Sequence, residues 1–191
     1  MRQDTLLTCI FLVLMALFVY YGVNRTKNGK KPYLRPIAGL DAIKEAVGRA
    51  VEMGRPINYS TGLAAIESEK AAETLASMEI LGHVARLCAQ FDCDLIVTNA
   101  NPVIYSMSSA VVAEAYREAG VYDRLKPDVV RFLSSDQFAF TADVMGIMHR
   151  ERIAANLLIG RFGSEALHLA ETGAQLGAIQ IAGTENMYQL P

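Results

Sequence analysis

Apolar residues are arranged in two ways along this chain: one unbroken block near the start, then short runs that repeat at helical and strand spacing. The block covers residues 6–23, with no charge between positions 5 and 23 and an interior of Cys9-Ile10-Phe11-Leu12-Val13-Leu14-Met15-Ala16-Leu17-Phe18-Val19. A helix rising ~1.5 Å per residue needs roughly 20 such residues to cross a hydrocarbon core about 30 Å thick. The block therefore predicts a transmembrane helix. Past residue 36 the period changes. Leu40, Ile43, Val47, Ala50 and Val51 mark one face of a helix, with Asp41, Lys44, Glu45 and Glu52 elsewhere on it. Met53-Gly54-Arg55-Pro56 stops that helix. Strands are expected at 57–59, 94–98, 128–133, 154–159 and 178–182, and helices at 71–90, 103–119, 137–149 and 164–176.

Strand and helix thus alternate, and the Val/Ile/Leu-rich strands lack the polar alternation of a half-exposed sheet. A parallel sheet covered on both faces requires such strands. The expected fold is an α/β domain of Rossmann-like, three-layer type with a mostly parallel sheet, behind an N-terminal transmembrane helix. Its strand order is not encoded in the periodicity. The chain divides into an anchor (1–24), a basic juxtamembrane linker (25–36) and the α/β domain (37–191).

A cleaved signal peptide would need a small-residue cleavage site after the apolar run. Here Tyr20-Tyr21-Gly22-Val23 and then Asn24-Arg25-Thr26-Lys27 follow, which favours an uncleaved anchor with its tyrosines in the headgroup layer. Arg25, Lys27, Lys30, Lys31 and Arg35 follow the run without an acid among them. Lysine and arginine in short flanks stay cytoplasmic. The expected localisation is the cell membrane, single-pass in this chain, with the soluble domain in the cytoplasm and the lipid bilayer as one partner.

Ligands of open parallel sheets bind where strand carboxyl ends feed their helices. Five such turns here are polar: Ser60-Thr61-Gly62, Thr98-Asn99-Ala100-Asn101-Pro102, Ser134-Ser135-Asp136, Gly160-Arg161-Phe162-Gly163-Ser164-Glu165 and Gly183-Thr184-Glu185-Asn186. Together they outline a crevice for a nucleotide or another small polar metabolite. The competing reading is local, because Ser, Thr, Asp and Asn accept bonds from the first amides of a helix. Ser135 or Asp136 before the 137 helix and Ser164 before the 165 helix fit that role. Gly160-x-x-Gly163 with Arg161 is the most anion-friendly turn, yet it is not G-x-G-x-x-G, and no Walker A pattern occurs.

A net charge of -2 argues against a nucleic-acid partner. Of the three cysteines, Cys9 lies in the apolar block, while Cys88-x4-Cys93 lacks the further ligands of a zinc site and reads as two small buried thiols. His83, His149 and His168 each fall inside a predicted helix, and His149-Arg150-Glu151-Arg152 matches no metalloprotease motif. Glu67, Glu69 and Glu73 suit a solvated helix start. No catalytic residue, metal site or cofactor is read. Phe138, Phe140, Val144, Met145, Ile147 and Met148 are more apolar residues than one buried stripe needs. Either that helix is packed on several sides, or part of it meets another subunit.

Residues 34–43 (Leu34-Arg35-Pro36-Ile37-Ala38-Gly39-Leu40-Asp41-Ala42-Ile43), Val47-Gly48-Arg49-Ala50, Glu52-Met53-Gly54-Arg55-Pro56, Glu114-Ala115-Tyr116 and Ile181-Ala182-Gly183-Thr184-Glu185-Asn186 are of a further kind. In these stretches the chain resembles an uncharacterised family of prokaryotic membrane proteins, domain of unknown function 6754. The resemblance implies a helical anchor followed by an α/β domain, and supplies no activity or site residue. It also implies further membrane segments beyond the α/β domain, so that a chain cut short at Leu190-Pro191 is expected. Two functional readings follow. One is a membrane-anchored, non-enzymatic domain that assembles as a homo-oligomer or with other membrane proteins. The other is a membrane-tethered binder of a small polar ligand at the strand ends.

Overall fold

The computed structural model describes residues 2–27, 37–66 and 71–184. Internal contacts divide the chain into residues 1–36 and 37–191. In the first unit, α1 (Arg2–Lys27) is one continuous helix. Its segment Leu7–Asn24 has a mean hydropathy of 2.0, so α1 is long and apolar enough to cross a membrane. It extends past residue 24, so the start of the expected linker is helical. The remainder of that linker lies outside the described residues.

The second unit runs α2 (Ala38–Met53), β1 (Ile57–Gly62), α3 (Ala71–Phe91), β2 (Leu95–Asn99), α4 (Pro102–Glu118), a 3-10 turn (Tyr122–Arg124), β3 (Val130–Phe132), α5 (Gln137–Glu151), β4 (Ala155–Arg161), α6 (Glu165–Gln175) and β5 (Ile179–Gly183). All four strand pairings are parallel, in the order β3-β2-β1-β4-β5. This is a Rossmann-like α/β fold, as the apolar pattern implies. The three central strands are buried throughout except at Arg161, whereas the edge strands β3 and β5 are only partly covered.

Alternation along the strands sends side chains to two separate cores. Ile57, Tyr59, Val97, Ala155 and Leu157 pack with Ile43 and Val47 of α2, Leu81 and Val84 of α3, and Ile104 and Val112 of α4. On the other face Leu158 packs with Phe140, Val144 and Met148 of α5 and Leu169 of α6. Each fully buried aliphatic side chain contributes about 1.5–3 kcal/mol. The α5 residues at positions 140, 144, 147 and 148 form its inward stripe, while Phe138 points away from it.

Helices α2 to α6 all stop in one way. A residue in the left-handed region follows the helix (Gly54, Asp92, Gly120, Arg152 and Gly177), and the next amide donates back to the carbonyl five residues earlier. These are Schellman caps, with Arg55 bonding Ala50, Cys93 bonding Cys88, Val121 bonding Tyr116, Ile153 bonding Met148 and Ala178 bonding Gly173. The caps gather at the amino end of the sheet, opposite the turns that the sequence nominates for ligand binding.

Two expected boundaries need correction. Ser60-Thr61-Gly62 and Gly160-Arg161 are strand residues of β1 and β4, not turns. Their glycine and hydroxyl composition signals a turn locally, but tertiary pairing overrides it: Leu63 N still donates to Arg161 O at 2.8 Å. Conversely, β3 is shorter than 128–133: residues 127–129 form a turn, and only Val130 to Phe132 pair with Val97 to Asn99 of β2.

Candidate functional site

The chain reverses its direction of winding between β1 and β4, so the topological switch lies at their carboxyl ends. That place is closed. Ser60 pairs with Leu158 and Gly62 with Arg161, leaving an extra residue in β4, a β-bulge at Gly160 with φ of 141°. A Cβ on Gly160 would lie 2.6 Å from the Thr61 carbonyl oxygen, and one on Gly62 would run into the Arg161 carbonyl. The two backbones abut where a ligand would need space.

The polar side chains at this end turn inward. Thr61 Oγ1 donates to Asn99 Oδ1 at 3.2 Å, and Ser108 Oγ of α4 donates to the same oxygen at 3.0 Å. Thr98 Oγ1 reaches the Tyr59 carbonyl at 3.5 Å, and Ser60 Oγ accepts from Gly62 N at 3.3 Å. Ser60, Thr61, Thr98 and Asn99 are all buried. Below them, Asn58 Nδ2 donates to Asn156 Oδ1 at 2.9 Å across the β1–β4 pair. Among the described residues, Asn99 Nδ2 and Asn58 Oδ1 are buried without a partner.

The helix starts hold the rest of the expected residues. Asn101 Oδ1 caps α4, accepting from Val103 N at 2.8 Å and Ile104 N at 3.4 Å. Asp136 Oδ1 caps α5 through Ala139 N at 2.9 Å, and Ser134 Oγ accepts from Asp136 N at 3.1 Å. Ser135 and Arg161 are exposed. Ser164 makes no cap bond; its Oγ accepts from Gln137 Nε2 at 3.4 Å. The α6 start already holds an anion of its own. Glu165, 1% exposed, accepts from Gly163 N at 2.8 Å and from Gln137 Nε2 at 2.5 Å. That carboxylate meets the positive helix end and ties α6 to α5. Thr184 Oγ1 donates to Glu73 Oε1 at 3.0 Å, while Glu67, Glu69 and Glu185 lie outside the described residues.

Beside this lock, a groove of about 220 Å³ runs between α5 and α6. Thr141, Ala142, Met145, Glu165 and His168 line it, with Phe138 at its rim. Phe138 is 80% exposed, and Leu167, on α6, is 74% exposed.

A second opening lies at the amino end of the sheet, a cleft of about 420 Å³ that no motif in the sequence marks. Its walls include Arg55, Cys88, Asp92, Cys93, Asp94, Tyr116, Arg124 and Lys126. Lys126 meets Asp94 at 2.5 Å and Arg124 meets Asp92 at 3.5 Å. The Asp94 carboxylate holds the Lys126 ammonium above its ordinary value, and burial pushes the Tyr116 phenol up to about 12. The signal in the sequence is faint: two thiols astride a helix stop, and acids at 92 and 94 answered by bases at 124 and 126. Cys88 and Cys93 are both buried, as expected. The three histidines are exposed on their helices. Among the described residues no group of three or more His, Cys, Asp or Glu side chains is placed to hold a metal ion.

No curated protein and no solved structure matches the chain. A family model does, over residues 1–191. The chain therefore belongs to the Domain of unknown function (DUF6754) family, an uncharacterised one, as the resemblance in its sequence implies.

Proposed function

We propose that this protein is a membrane-anchored interaction domain that assembles with a second copy of itself through the α5–α6 groove. In this reading α1 spans the bilayer and the α/β domain lies on the cytoplasmic side, the side that a basic flank favours. The observation that carries the assembly is the pairing of a knob with a hole on one patch. Phe138 stands 80% exposed at the rim of a groove of about 220 Å³. That groove is smaller than the roughly 300 Å³ at which small-molecule pockets begin. A two-fold axis beside it sends each Phe138 into the partner's groove, the self-complementarity an isologous dimer requires. Leu167 extends the apolar area, and His168 supplies a polar edge.

A photo-crosslinking residue in place of Phe138 tests the reading in native membranes. Covalent dimers are the expected product, and the same residue at Leu75 of α3, also exposed, is the control. Equal crosslinking from both positions, or none from 138, contradicts it. Orientation is checked with a single cysteine at exposed Asp123. Its modification by an impermeant reagent in intact cells would place the domain outside.

The second reading is a small polar ligand at the strand ends, and the buried, unpartnered Nδ2 of Asn99 favours it. Arg161→Ala and Ser135→Ala separate the two readings. Loss of a bound metabolite with assembly intact supports the ligand, and no ligand effect leaves the interaction domain.

A further inference from the structure

Cys88 and Cys93 sit at the two ends of the α3 cap. Cys93 N donates to Cys88 O at 2.9 Å. A carbonyl oxygen lies about 2.4 Å from its own Cα and an amide nitrogen about 1.46 Å from its own, so the two Cα atoms are at most about 6.8 Å apart. Disulfides span roughly 4.4–6.8 Å between Cα atoms. The helix ending thus brings these two residues within the Cα separation that disulfides span. Asp92 in the left-handed region, φ of 57°, is the turn that does it.

The thiols also interact. Cys93 Sγ donates to the Asp94 carbonyl at 3.7 Å. The neighbouring Cys88 thiol lowers the pKa of Cys93, while Cys93 and burial raise that of Cys88. The pair therefore has unequal members, both in the wall of the cleft: Cys93 is the readier nucleophile and Cys88 the more basic thiol. The cleft itself is not neutral. Arg55, Arg124 and Lys126 face Asp92 and Asp94, and with Arg124 and Lys126 each paired to an acid, the Arg55 charge is left over.

We propose that Cys88 and Cys93 are a redox-active pair, forming a reversible disulfide by exchange with a small anionic disulfide that enters the amino-end cleft. Cys93 loses its proton to solvent, and the thiolate attacks one sulfur of the disulfide RSSR. This forms a Cys93–S–SR bond and releases RS⁻, which takes up a proton as RSH. The Cys88 thiol then gives its proton to solvent and its sulfur attacks Cys93, forming the Cys88–Cys93 bond and releasing a second RSH. Two electrons pass from the thiol pair to RSSR, and no other co-reactant is consumed. The bond ties the last turn of α3 to the segment that leads into β2.

The test equilibrates the full chain, in mild detergent, with mixtures of reduced and oxidised glutathione, followed by acid quench, alkylation and tryptic digestion. Both cysteines fall in one tryptic peptide, residues 87–117, away from Cys9. The expected product is that peptide lighter by two hydrogens and carrying no alkyl group, returning to the doubly alkylated form after dithiothreitol. Its formation constant in the folded chain should exceed that of the same chain in urea by at least about tenfold. Arg55→Ala should slow oxidation by glutathione disulfide severalfold and leave oxidation by neutral 2-hydroxyethyl disulfide unchanged. A lasting glutathione adduct on Cys93 beside an alkylated Cys88 would overturn the pair. So would equal formation constants in folded and unfolded chains, or a peptide that stays doubly alkylated where the unfolded chain oxidises. Equal slowing of both oxidants by Arg55→Ala would overturn the anionic co-reactant.

Discussion

The two ends of the sheet differ in a way that strand topology alone does not foretell. At the carboxyl end, beside the β1–β4 switch, Gly62 and Gly160 let two backbones abut, and the hydroxyls and amides behind them bond to one another. At the amino end the ends of α2, α3 and α4 border an open cleft with charge pairs and two thiols. A reversal of winding places strand ends side by side, but space for a ligand also requires the strands to part there. In this domain the switch is sealed, and the openness lies elsewhere.

The largest effect is expected from prising the sealed end apart. Gly62→Val puts a β-branched residue at a φ of 62° and drives its Cβ into the Arg161 carbonyl. Strain and overpacking together should cost about 3 kcal/mol or more. The chain has eight tyrosines and no tryptophan, so urea denaturation followed by tyrosine fluorescence measures this. An effect under about 1 kcal/mol would mean that the strand ends can separate. Next comes Asn156→Ala, which removes the acceptor of Asn58 Nδ2 and the donor to the Leu169 carbonyl at 3.3 Å. Leaving these groups unpaired should cost about 1–3 kcal/mol in the same assay.

The open end should respond to pH instead. Tyr116 has its pKa raised by burial from 10.0 to about 12, with Cys88, Asp94, Cys93 and Asp92 adding in the same direction. A raised folded-state pKa contributes stability that is complete below the unfolded value and lost as pH rises through the folded one. Stability should therefore fall between pH 10 and about 12, and Tyr116→Phe should flatten part of that fall. A profile that is the same in wild type and variant would show that another group carries it. The smallest effect belongs to Lys126→Met. Its bond to Asp94 is solvent-exposed, and such pairs are worth about 0–1 kcal/mol.

The same contrast explains what was legible in the sequence. Among the described residues, periodicity located the α-helices and strands of the α/β domain, because Leu81, Val84 and Cys88 or Phe140, Val144 and Ile147 recur wherever a helix must bury one face. Strand limits at the sealed end were not legible. Ser60-Thr61-Gly62 has turn composition, and only the pairing with β4, a hundred residues away, makes it strand. Strand order was hidden for the same reason. Of the fourteen residues nominated for a ligand, Asn101 and Asp136 hold helix caps and Ser60, Thr61, Thr98 and Asn99 bond within the fold. The cleft was missed because its residues come from the ends of α2 and α3, from α4 and from the turn before β3, and no local spacing links them. The extra hydrophobicity of α5 was readable as Phe138, the one aromatic residue of that helix left outside its buried stripe.

The central claim is assembly through that residue, and native mass spectrometry of the full chain, gently extracted from membranes, tests it most directly. The wild type is expected at twice the 20.8 kDa chain mass, and Phe138→Ser together with Leu167→Ser at the monomer mass. A wild-type monomer, or a dimer that survives both substitutions, would contradict the account.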